Sequence, residues 1–123
     1  KSLQEALEQN GITQKLIPDC LPEGYVYKDM TVKSSPKGRT IYSVFENNES
    51  ELIIKIRQTI GVQAPQVEKN DDFLEKYVVD GVEYYIFSNN AMLQAVWNIG
   101  EFECLIAGKI TVEEMKKMID SIR

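Results

Sequence analysis

Glu101 and Glu103 stand two apart in GEFEC, and on an extended strand their carboxylates would leave one face roughly 6–7 Å from each other. Two acids at that separation can divide the work of glycoside hydrolysis, one protonating the leaving group and the other attacking or activating water. Alternating Glu on a solvent-facing strand produces the same pattern, and it is the reading preferred here. ENNESE, residues 46–51, offers oxygen ligands of the kind calcium takes. It lacks the alternating Asp/Asn ladder and the closing bidentate Glu of a loop site, so a hairpin tip is expected instead. Asp71 and Asp72 fall in an unpatterned, solvated stretch. Ser34, Ser35 and Ser43 have no base nearby in sequence and no nucleophile-elbow motif.

Histidine is absent, which removes Ser-His and Cys-His dyads and most zinc sites together. The two cysteines, Cys20 and Cys104, are too few for a disulfide framework and too far apart for a metal motif. Cys104 alternates with Phe102 and Ile106 and reads as a small buried hydrophobe. Whether it pairs with Cys20 is open at this level, as is the redox compartment. The sequence is therefore read as non-enzymatic, with no catalytic residue, metal site or cofactor expected.

With 123 residues, 43% apolar and 27% charged, the chain lies in the globular range rather than the disordered one. One domain spanning residues 1–123 is expected. Fourteen basic residues against nineteen acidic ones give a net charge of −5, a sign that repels phosphate backbones. The small basic groups Lys33, Lys37, Arg39 and Lys116, Lys117, Arg123 lack interleaved aromatics, so no nucleic-acid partner is expected. No segment approaches the ~20 continuous apolar residues of a membrane span. The chain opens on KSLQEALEQN, without Met or a signal-peptide pattern, and is read as the soluble part of a longer protein.

The elements that must position any site begin with SLQEALEQNG, a short helix capped by Ser2, with Glu5 completing a capping box and Gly11 after the last turn. Leu3, Ala6 and Leu7 form its narrow apolar face. LIPDCLPEGY is irregular, because Pro18 and Pro22 remove donors and push their predecessors toward extended geometry. Seven alternating stretches follow: YVYKDMTVK, RTIYSVFE, ELIIKIRQTI, FLEKYVV, VEYYIFS, AMLQAVWN and EFECLIAG. In the third, Leu52, Ile54 and Ile56 share one face while Lys55 and Arg57 share the other. GVQAPQVEKNDD, residues 61–72, reads as a long surface loop.

Asp80-Gly81, Asn89-Asn90 and Ile99-Gly100 are read as two-residue hairpin turns, which need positive φ. Val79 then pairs with Val82, Ile86 with Leu93, Tyr84 with Ala95, Trp97 with Phe102, and Ala95 with Cys104. These registers gather Val79, Val82, Tyr84, Ile86, Leu93, Ala95, Trp97, Phe102, Cys104 and Ile106 on one apolar face. The closing segment ITVEEMKKMIDSI suits the task of covering it. Thr111 caps, Glu114 completes the box, and Val112, Met115, Met118, Ile119 and Ile122 recur at helical spacing. Burying four such side chains contributes on the order of 6–12 kcal/mol before ordering entropy. The predicted fold is α+β: an antiparallel meander sheet of six to seven strands with N- and C-terminal helices, the latter packed on the apolar face.

The opposite face holds Glu83, Tyr85, Phe87, Met92, Gln94, Val96, Asn98, Glu101, Glu103 and Leu105, with Tyr42 and Val44 extending it. It is too apolar to be fully wet and too polar for a second core. Partial cover by the N-terminal helix and proline segment is one expectation. A docking surface built on Tyr85, Phe87, Met92, Val96 and Leu105 is the other, open to a protein partner or an amphipathic ligand.

The order of segments resembles a bacterial family, Domain of Unknown Function 4367. The likeness rests on LPEGY, YSVFENNESELIIKIRQT, VDGVEYYIF, AVWNIGEFECLIAG and ITVEEMKKMIDSI, from about Leu21 to Ile122, with Gly24, Tyr25, Trp97, Gly100 and Gly108 as fold-bearing positions. More distantly, LPEGY is similar to the C-terminal domain of periplasmic regulators that bind anti-sigma factors. The resemblance implies an extracytoplasmic sensory or interaction domain of an anti-sigma-like regulator in a Gram-positive bacterium, held at the membrane by an upstream anchor. A carrier or binder of a lipid or other amphipathic ligand is the alternative.

Overall fold

The computed structural model describes residues 3–64, 73–89 and 91–122. Its elements run α1 (Leu3–Gln9), β1 (Val26–Ser35), β2 (Gly38–Glu46), β3 (Glu51–Thr59), β4 (Phe73–Val79), β5 (Val82–Asn89), β6 (Met92–Ile99), β7 (Phe102–Gly108) and α2 (Val112–Asp120). The seven strands form one sheet in the order β1-β2-β3-β7-β6-β5-β4, with antiparallel neighbours throughout. Two runs of hairpins, β1–β3 and β4–β7, meet where β3 pairs with β7. This is the expected α+β meander, with a helix at each end.

Each helix ends as its sequence signals require. At α1 the Ile12 amide donates to the Leu7 carbonyl at 2.9 Å and the Gly11 amide to Glu8 at 3.0 Å, with Gly11 at φ +79°. That is a Schellman closure, and the apolar pair that accompanies it, Leu7 and Ile12, is buried. The expected Ser2 cap lies outside the described residues. At α2 the Thr111 hydroxyl accepts from the Glu114 amide while the Glu114 carboxylate accepts from the Thr111 amide, the full capping box. Met115, Met118 and Ile119 are buried to within 1% in one cluster with Trp97, Phe102 and Ile106.

All ten side chains assigned to the apolar face are buried or packed against the core. Their pairing differs from expectation. Val79 does oppose Val82 across Asp80-Gly81, both at positive φ. Beyond that, Ile86 opposes Ala95 rather than Leu93, and Trp97 opposes Cys104 rather than Phe102. The turns sit one residue later than predicted, with Ala91 (φ +66°) following residue 90 in one and Gly100-Glu101 forming the other. Moving a turn by one residue shifts the register by two, and a two-residue shift returns every side chain to the same face.

The N-terminal segment lies on the core side, not on the outer face where partial cover was expected. Leu7, Ile12, Leu16 and Ile17 join the same buried cluster as Ile41, Ile54 and Met118. Arg39, which shares the core side of β2 with Ile41, donates to the Asn10 carbonyl just past α1. The proline segment is pinned to α2: the Asp19 amide donates to Ser121 Oγ at 2.9 Å, and that hydroxyl donates to the Met118 carbonyl at 2.7 Å. α1, the proline segment and α2 thus share one face of the sheet, since the apolar residues of the segment can only be desolvated where other apolar residues already are.

Candidate functional site

The outer face of the sheet is covered by neither helix, because both are committed to the core side. Its composition can be followed along ladder rows. One row crosses all seven strands: Thr31, Tyr42, Lys55, Leu105, Val96, Tyr85 and Lys76. Its neighbours are Lys33–Thr40–Arg57–Glu103–Asn98 on one side and Val44–Ile53–Ala107–Gln94–Phe87 on the other. A charged end, a mixed middle and an apolar end therefore lie side by side.

The five residues expected to form a binding surface are all on this face. Leu105, Val96 and Tyr85 are consecutive in one row, Phe87 lies in the next, and Met92 sits two positions before Gln94 on β6. Phe87, Met92, Val96 and Leu105 are half-buried, whereas Tyr85 is only 4% exposed. The Tyr85 hydroxyl donates to the Glu83 carboxylate at 2.9 Å, a bond to the neutral phenol that raises its pKa, with burial adding to the shift. Residues 65–72 of the predicted 61–72 loop lie outside the described residues.

What the sequence reading missed is a cationic group. Lys33, Lys55 and Arg57, together with Thr31, Thr40 and Tyr42, line an open cavity of about 540 Å³ on β1, β2 and β3. It adjoins a second cavity of about 330 Å³ toward the β1–β2 turn that shares Lys33, Thr40 and Arg57. Here Gly38 is required, because a Cβ would collide with the Gln58 carbonyl. Alternation alone placed Lys55 beside Arg57. Lys33 joins them because of a bulge: β1 pairs Tyr27 with Phe45 but then Asp29 with Val44, skipping Lys28. One extra residue moves the odd-numbered side chains of β1 from the core side at Tyr27 to the outer side at Thr31 and Lys33. The same bulge sets Lys33 on the outer face and Arg39 on the core side, yet both line the 330 Å³ cavity together with Lys37 of the β1–β2 turn, so the basic group read from sequence meets at that end of the sheet.

The acidic candidates resolve differently. Glu101 is in the β6–β7 turn, not on the strand that carries Glu103. Its carboxylate accepts from the Gln58 side-chain amide and from the Gly61 amide, both at 2.9 Å, and the two bonds lower its pKa. Glu103 lies 3.9 Å from Arg57 in an exposed ion pair of small energetic weight. At ENNESE, the Asn47 side-chain oxygen accepts from the Glu49 and Ser50 amides, the local geometry of a hairpin tip. Among the described residues, no three His, Cys, Asp or Glu side chains are grouped to hold a metal ion. Both cysteines are free: Cys20 is exposed, and burial raises the pKa of the Cys104 thiol. Among the described residues no helix is long and apolar enough to cross a membrane.

Residues 15–122 match the model of the family described as Domain of unknown function (DUF4367). The chain belongs to the DUF4367 family. No curated protein and no solved structure matches it. The match spans β1 through α2, so the core face, the bulge and the outer face of this DUF4367 chain all fall within it.

Proposed function

We propose that this DUF4367 chain is a non-enzymatic sensory or interaction domain that binds through the outer face of its sheet. In the full-length protein it is held outside the cytoplasmic membrane of a Gram-positive bacterium by an upstream anchor, as part of an anti-sigma-like regulator. The observation that supports the binding role is the outer face itself. It is a wide sheet surface with both helices on the other side, carrying half-buried Val96, Leu105 and Ile53 beside exposed Lys33 and Arg57. A non-enzymatic reading is supported by Glu101, whose two oxygens are occupied in holding the chain after β3. The regulatory setting rests on the family resemblance.

A binder of amphipathic ligands is the second reading, favoured by the cavity of cations next to apolar rows. Two measurements on the full-length protein in intact cells test the proposal. A photocrosslinking residue at Val96 gives adducts while one at the exposed Glu113 of α2 gives none, and Cys20 reacts with a membrane-impermeant maleimide before lysis. Adducts at 113 but not 96 would refute the binding face. Labelling of Cys20 only after lysis would refute the location.

A further inference from the structure

We infer that the ligand of this face is an anionic amphiphile, with a phosphate-bearing headgroup seated among Lys33, Lys55 and Arg57 and an acyl chain laid over Leu105, Val96 and Ile53. The inference rests on the reading of the outer face as a binding surface and names what it binds.

Charge is the first argument. The chain carries −5 overall, yet among the described residues the 540 Å³ cavity is lined by three cations, two threonines and a tyrosine, with no carboxylate. Glu103, at 3.9 Å from Arg57, borders it from β7. Among the described residues, Lys33 and Lys55 have no carboxylate within ion-pair distance. The hydroxyls of Thr31, Thr40 and Tyr42 add donors at the same place. A phosphate, with several acceptor oxygens, uses such a convergence of donors better than a single carboxylate does.

Adjacency is the second. Lys55 opposes Leu105, Leu105 opposes Val96, and Ile53 is the next outward residue along β3 from Lys55. Strands lie ~4.8 Å apart and outward residues ~6.6 Å apart along a strand, so apolar cover begins within one side-chain length of the cations. The cavity meets the apolar rows directly.

Backbone accounting is the third, and it decides between a lipid and an extended peptide. The main chain of β2, β3, β7 and β6 is consumed in ladders on both sides. An extended peptide lying on this face would hold its own N–H and C=O groups over Leu105 and Val96 with nothing to pair them. An acyl chain has no such groups. The polar demand of an anionic amphiphile is confined to the headgroup, as the supply is confined to the cavity.

The test uses 1-palmitoyl lysophosphatidylglycerol below its micelle concentration, followed by calorimetry and by NMR shifts of the folded chain. The expected result is saturable binding that perturbs Lys55, Arg57, Leu105 and Val96. Glycerol 3-phosphate and 1-palmitoyl lysophosphatidylcholine each bind at least about tenfold more weakly. Lys55→Gln and Leu105→Gln, each with an unchanged circular dichroism spectrum, lower affinity about tenfold, the first with a reduced salt dependence. Equal binding of glycerol 3-phosphate would reduce the site to a free-phosphate groove, and equal binding of the choline lipid to an apolar patch. Either overturns the proposal. Binding of an acidic amphipathic helical peptide to the same residues, with no lysolipid binding, also overturns it while leaving the outer face a binding surface. The absence of any lysolipid binding overturns the ligand class, whereas missing Val96 crosslinks in cells would overturn the face.

Discussion

The Glu101 carboxylate bridges the Gln58 side chain and the Gly61 amide, each at 2.9 Å, and so ties the β6–β7 turn to the chain leaving β3. Beside it the Ala64 amide donates to the Gly100 carbonyl at 2.8 Å. Both bonds to Glu101 favour the charged form, and its carboxyl titrates below the usual carboxylate range. The stabilisation is complete above the unfolded-state pKa and is lost as pH falls through the lower folded-state value. Glu101→Gln is therefore expected to melt below wild type at neutral pH, with the gap closing in acid, below about pH 4. Thermal melts of both proteins from pH 7 to pH 3 check this; a constant gap would contradict it.

Ser43 is 1% exposed on the core side of β2, and among the described residues its hydroxyl has no hydrogen-bond partner. It lies between Ile41 and Phe45, opposite Ile54. An unsatisfied buried hydroxyl costs about 1–3 kcal/mol, while removal of one oxygen leaves little empty space. Ser43→Ala is expected to be more stable by about 1 kcal/mol in urea unfolding, with an unchanged m-value.

Ala91 holds φ +66° in the β5–β6 turn, a conformation that L side chains resist. Gly removes that strain but loses more backbone entropy on folding. The balance favours Ala91→Gly by roughly 0.5–1 kcal/mol. The same substitution at the exposed, helical Glu113 should destabilise by a similar amount, so a pair of denaturation curves separates turn strain from general flexibility.

Ser121 joins the proline segment to the last turn of α2 by accepting from the Asp19 amide at 2.9 Å and the Cys20 amide at 3.3 Å. Ser121→Ala is expected to cost about 1 kcal/mol, since these donors are reachable by water. Amide exchange should quicken at Asp19 and Cys20 while the β6 and β7 ladders stay protected. Uniform acceleration across the sheet would mean that the clasp is not local.

Period-two alternation and turn residues determined which side chains share the core face, because any even shift of register preserves the face and only odd shifts are penalised by burial. For the same reason alternation could not choose between Trp97–Phe102 and Trp97–Cys104, and the Thr111–Glu114 box was legible because capping is local. Three decisions belonged to tertiary structure. The place of the β6–β7 turn goes with the reach of Glu101 to Gln58 and Gly61, partners far away in sequence. The side taken by the N-terminal segment depended on where Leu7 and Ile17 could find other apolar surface. The arrival of Lys33 beside Lys55 and Arg57 depended on a bulge at Lys28 that no glycine or proline marks, and it became visible only once β1 had to pair with β2.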